Sequence, residues 1–208
     1  MIIVVGIISV LLAMLYGSLE RAQKFSRRTI TYTELKTIEA ALKQYHAHYH
    51  RWPNMTNIAT MAFSNGGDEG FIIDANVAAL LQGSRATTLQ AQLSDDQIAR
   101  GNPEMMPFIE FPRVAPASGF PINPFKSSSA NIPGDTTRAY RVLFDTNGDR
   151  QIAIPPDPDA TGSTDTNIIA DVAVWTIIPG TRRVDTSGNP QNVGDVVFGT
   201  WQDFGIPK

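Results

Sequence analysis

The chain has no cysteine, so it holds neither a disulfide framework nor a thiol nucleophile, a composition compatible with an exported domain. Proline is missing from the first 52 residues, and all fourteen prolines lie after Trp52, beginning at Pro53. Nothing there breaks a helix, whereas the rest of the chain is turn-rich and strand-like. Charge is missing from Met1 to Leu19. Also lacking are a nucleophile elbow, a phosphate-cradling glycine loop and a paired-carboxylate signature, so no enzyme is expected. A basic body is lacking too. Residues 53–208 hold ten Lys/Arg against seventeen Asp/Glu, a balance of −7, while residues 1–52 hold seven against three, a balance of +4. An acidic body argues against nucleic acid as the main partner.

What fills the uncharged start is a greasy run. Eleven of its residues are Ile, Val or Leu, worth roughly −3 to −7 kcal/mol for entering a bilayer. Nineteen residues make about 28 Å of helix, close to one hydrocarbon core. A signal peptide would want a basic region before the run and a small-residue cleavage site after it. A buried core helix is the other alternative. The run reads best as a helix that spans a membrane or lies in a filament core. Within it Ser9, Ala13 and Gly17, spaced by four, form a small-residue stripe suited to close helix packing.

Past the run, Leu35, Ile38, Leu42, Tyr45, Tyr49 and Trp52 recur at alternate steps of three and four, which is one face of a helix. The spacing predicts a single helix of about 50 residues, stopped by Pro53, its second half laid on a sheet through Leu35, Ile38, Leu42 and Tyr45. Asp74 is placed to cap a short helix over 75–82 ended by Gly83, and Ser94 with Gln97 makes a capping box for another ending at Gly101. Strand patterns cover Phe108–Phe111, Ala139–Phe144, Gln151–Ile154, Asp171–Ile178 and Asp195–Trp201. Asn147-Gly148 predicts a hairpin joining the second and third of these. The layout is α+β, in four stretches: 1–19, 20–52, a loop-rich insertion over 53–138, and an antiparallel sheet with a C-terminal loop over 139–208.

Three stretches carry a resemblance: the apolar run from Met1 to Ala13; Glu34 to Tyr45 followed by Arg51-Trp52-Pro53; and Ala139 to Asp149 with Val172-Ala-Val-Trp175. Together they resemble the type IV pilin and type II secretion pseudopilin superfamily, most of all its major pseudopilin branch. The family's leader, its cleavage-site glycine, the following Phe and the Glu near the mature N-terminus have no counterpart, so Met1 is expected to fall just past them. The resemblance implies a pilin-like fold and a structural subunit of a type II secretion pseudopilus. Its copies would form a filament through the face of Ser9, Ala13 and Gly17, together with minor pilin-like subunits and an inner-membrane assembly platform. Membrane lipid would hold the protomer before assembly. Arg21, Lys24, Arg27 and Arg28 would by charge alone keep the body in the cytoplasm. The resemblance implies instead a single pass of the inner membrane with a periplasmic body.

Major pseudopilins commonly hold calcium in their C-terminal loop, and Asp185, Ser187, Asn189 and Asp195 offer oxygens for it here. Asp145 to Asp149 matches only the first half of a calcium loop, and a hairpin turn explains it equally. His46, His48 and His50 lack the further ligand a zinc site needs. The alternatives to a secretion subunit are a subunit of a surface pilus for adhesion, motility or DNA uptake, a monomeric membrane-tethered binding module, and, with least support, an anchored hydrolase.

Overall fold

The computed structural model describes residues 2–53, 58–59, 61–85, 93–115, 119–125, 138–154, 166–179, 183–184, 190–191 and 195–202; of 2–18, 183–184, 190–191 and 195 it describes the backbone alone. It begins with one helix, α1 (Ile2–Tyr49), 48 residues long and so about 72 Å from end to end. The expected uninterrupted helix is present. It ends before Pro53 is reached: His50 turns left-handed, with φ 54°, while its N–H still donates to the His46 carbonyl at 2.8 Å. Trp52 therefore lies beyond the helix and returns to stack on Phe144, with ring centroids 4.8 Å apart.

Five strands form an antiparallel sheet in the order β1 (Ala62–Asn65), β2 (Asp68–Ile72), β3 (Arg141–Phe144), β6 (Val172–Pro179) and β9 (Asp195–Gly199). Two residues, Gly66 and Gly67, close the β1–β2 hairpin, with φ of 62° and 94°. Glycine adopts that left-handed pair without the penalty a side chain would add.

Alternation along the strands divides the sheet into two faces. Val142 lies opposite Val174, and Phe144 opposite Val172. With Phe71 they meet Leu35, Ile38, Leu42 and Tyr45 in the main core. The residues between, Leu143, Ala173 and Trp175, point the other way and pack on Ile152 and Ile154. Those two belong to β4 (Gln151–Ile154), which pairs with β5 (Thr166–Ile169) as a separate two-stranded arm. The molecule is thus helix, sheet and arm, in that order. A last small pair, β7 (Arg183–Val184) and β8 (Pro190–Gln191), lies apart.

The expected hairpin across Asn147-Gly148 does not form, since β3 and β4 pair with different partners. Asp145 explains this: its carboxylate accepts the N–H groups of Gly148 at 2.7 Å and Arg150 at 2.9 Å. A side chain thereby takes donors that a two-residue hairpin turn would have used. Phe108–Phe111 is no strand either. Its first two N–H groups, from Phe108 and Ile109, both point at the Leu81 carbonyl, at 2.8 and 3.4 Å.

Two short helices complete the body. In α2 (Ala75–Leu81) the Asp74 side chain accepts the Val77 N–H, and the following Gly83 has φ 64°. In α3 (Asp95–Gly101) Ser94 and Gln97 complete a reciprocal capping box. Both starts follow from local chemistry: side-chain oxygens satisfy the N–H groups that a helix leaves unpaired.

Among the described residues no helix is long and apolar enough to cross a membrane. The expected single pass of the inner membrane with a periplasmic body is corrected accordingly. The described side chains of α1 begin at Leu19, and from Glu20 to Lys43 they include nine charged residues, each costly at a bilayer centre.

Candidate assembly surface

Among the described side chains of α1, only the later ones are held by the body. Residues 19–26 are all exposed, and the first buried position among the described side chains is Thr31. From there Leu35, Ile38, Ala41, Leu42 and Tyr45 are buried, the three-and-four rhythm of a helix seated on a sheet.

Three polar fastenings hold the seated half. Glu34 receives hydrogen bonds from Arg113 on one carboxylate oxygen and from the Tyr140 hydroxyl on the other. Burial pushes the Tyr140 phenol well above its ordinary range, so it remains a donor. Farther along, the buried Tyr45 hydroxyl donates to the Gly101 carbonyl, and burial pushes its pKa up to about 12. Tyr49 donates to Asn102 Oδ1 at 2.8 Å. Asn102, fully buried, sends its amide to the carbonyls of Leu80 and Met106 at 2.8 and 2.7 Å. That one side chain ties the end of α1 to both short helices.

On the solvent side, Glu39 accepts from Lys36 at 3.0 Å and Lys43 at 2.6 Å. Burial alone would raise its pKa, but the two ammonium groups outweigh that and hold it below the usual carboxylate value.

The exposed part of α1 is basic and partly apolar. Lys24 pairs with Glu20 at 2.7 Å, which leaves Arg21, Arg27 and Arg28 without a carboxylate partner among the described residues. Leu19, Phe25 and Ile30 are exposed beside them, Phe25 to 61%. Partial burial lowers the Arg28 pKa.

The other end of the molecule has the opposite character. Glu34 meets Tyr140 at the start of β3, and Trp52 meets Phe144 at its end, so β3 runs in the direction of α1. The β1–β2 turn and the 145–150 loop therefore sit at the end farthest from Arg21. Asp68, Glu69, Asp145 and Asp149 gather there with no ion pair among the described residues. Asp68 is buried, and its pKa is raised by that burial and by the charges of Asp145 and Asp149, against the Thr146 N–H that it accepts. Beside this acidic end opens a cavity of about 500 Å³ lined by Trp52, Phe71 and Phe144, with Ser64, Glu69 and Thr146.

The residues expected to form sites fall into two groups. Leu35, Ile38, Leu42 and Tyr45 come together in the seam. Ser9, Ala13 and Gly17 lie on the continuous backbone of α1, and their side chains are outside the described residues. So are Asp185, Ser187 and Asn189; Asp195 is described only as the backbone start of β9. Among the described residues no group of three or more His, Asp or Glu is placed to hold a metal ion. The three histidines separate: His46 faces the Trp52 ring, His48 meets Glu104 at 3.0 Å, and His50 ends the helix. Sequence reasoning missed the aromatic, acid-rimmed cavity. The paired glycines 66 and 67 were the one local signal that could have placed β1 and β2 beside Phe144.

No protein-family profile, curated protein or solved structure matches this chain.

Proposed function

We propose that the chain is a structural, non-catalytic subunit of a pilin-like filament, of the kind that type II secretion systems use in protein export. Its copies join through the N-terminal half of α1, and minor pilin-like subunits join them. One observation carries this reading: α1 is far longer than its body needs. The seam uses positions 31 to 45, yet the same helix continues unbroken back to Ile2.

Energetics favour a covered helix. The eleven Ile, Val and Leu residues among the first 19 would each gain about 1.5–3 kcal/mol on full burial. The sum, roughly 17–33 kcal/mol, exceeds the net stability of an ordinary domain. A helix apolar all round is a buried helix. Bundling equivalent helices from other copies covers it while the acidic bodies pack outside, and Ser9, Ala13 and Gly17 allow the close approach such a bundle needs.

Negative-stain electron microscopy of the purified full-length chain tests the reading, together with crosslinking of Ser9→Cys and Ala13→Cys variants. Because the natural chain has no cysteine, any bismaleimide crosslink reports contact between copies at those positions. Filaments that crosslink at both sites are expected. A monodisperse monomer without crosslinks would overturn the proposal.

A further inference from the structure

We infer that the aromatic cavity at the acidic end of one copy receives the basic segment of α1 from a second copy, with Phe25 entering between Trp52 and Glu69 and with Arg21 and Arg28 meeting the acids around it. The inference rests on the filament reading above and adds the contact that joins successive bodies.

The first argument is the shape of the donor. Arg21, Phe25 and Arg28 are spaced four and three apart, so they lie along one stripe of α1. Phe25 is among the most exposed large apolar side chains of the described residues. It stands between two guanidinium groups that have no carboxylate partner there.

The second argument is the shape of the acceptor. A cavity of about 150 Å³ already admits a benzene ring; this one holds about 500 Å³ and is lined by Trp52, Phe71 and Phe144. Its exposed rim residue Glu69 has no ion-pair partner among the described residues. The 145–150 loop beside it adds Asp145 and Asp149 against the single cation Arg150. Counting Asp68, the β1–β2 turn and the 145–150 loop together carry −3, and the segment from Glu20 to Arg28 carries +3. Arginine beside indole and phenyl faces gains a further cation–π attraction.

The two surfaces cannot meet within one molecule. About 36 Å of rigid helix axis separates Phe25 from Tyr49, several screening lengths at physiological salt. A second copy shifted along the axis by about that distance brings them together. Such a contact joins unlike surfaces, so it propagates instead of closing.

Charge reversal with mutual rescue tests this. Glu69→Lys alters the cavity rim, and the double variant R21E/R28E alters the donor; all three positions are exposed or half-exposed surface, and an unchanged melting curve verifies each fold. Each variant alone is expected to lower sedimentable filament by at least about tenfold, in line with close charge pairs at interfaces. An equimolar mixture is expected to recover most of it, because every introduced lysine then faces introduced glutamates and every wild-type rim faces arginines. Phe25→Ala should lower assembly without rescue by either partner. If wild type polymerises and the reversals polymerise equally well, or the mixture stays inactive, the inference is wrong and the filament reading stands. If wild type itself forms no filament, that reading fails and takes this contact with it.

Discussion

Tyr45 shows how much can depend on a single buried polar group. Its ring fills the seam, and its hydroxyl satisfies a carbonyl at the end of α3 that no water reaches easily. Tyr45→Phe keeps the ring and removes the bond, which should cost about 1 kcal/mol and shows as a lower urea midpoint at pH 8. The pH dependence follows from its raised pKa of about 12, caused chiefly by burial. Below pH 10 the phenol is protonated in both folded and unfolded chains, and its contribution is fully present. Between pH 10 and 12 the unfolded chain releases the proton first, so stability falls as pH rises. The gap between wild type and Tyr45→Phe should therefore shrink over that window, as paired urea melts at pH 8 and pH 11 would register. His50 illustrates a residue whose role the sequence hides. Its left-handed φ of 54° ends α1 before the proline that looked responsible, a conformation histidine tolerates better than most residues.

At the scale of elements, the features that announce themselves are those fixed by nearby residues. The helix rhythm from Leu35 to Tyr45, the Asp74 cap and the Ser94–Gln97 box are legible because each depends on neighbours three or four positions away. The β1–β2 hairpin is hard to read because, of the nine residues in Ala62–Asn65 and Asp68–Ile72, only Ile72 is one of the β-branched residues that mark strands. Asn147-Gly148 misleads because Asp145 takes up the turn N–H groups and β3 finds its partners about 70 residues earlier and 30 later. The cavity is illegible for the same reason: Trp52, Glu69 and Phe144 meet only through strand pairing between distant segments. The exposed stretch of α1 invites a prediction of its own. Gln23 lies among residues that touch no buried core, so Gln23→Pro should break the rod, at about 3 kcal/mol of local helix stability, while leaving the body intact. Differential scanning calorimetry should show an unchanged body transition, and electron microscopy should show filaments lost. A lowered body transition would mean that the two halves of α1 fold as one cooperative unit.

Viewed as a whole, the molecule is a rod with a basic, greasy limb and an acidic, aromatic head, and the polymerisation proposed for it should carry the mark of both. Helix bundling through apolar side chains is insensitive to screening, and excluded salts strengthen it. Contact between opposite charges behaves in the reverse way, because the screening length falls from about 10 Å at 0.1 M to 3 Å at 1 M. If the limb alone joined the copies, filament mass would hold steady or grow as sodium chloride rises from about 0.05 to 0.5 M. With the charged head seated on the neighbouring limb, wild-type filament mass should instead fall across that range. Glu69→Lys reverses one partner, so salt should relieve its repulsion and raise its residual assembly. Sedimentation of both proteins over one salt series reads out the two slopes, and opposite signs are the expected result. Slopes of the same sign would assign the assembly energy to the apolar limb and leave the head a passenger.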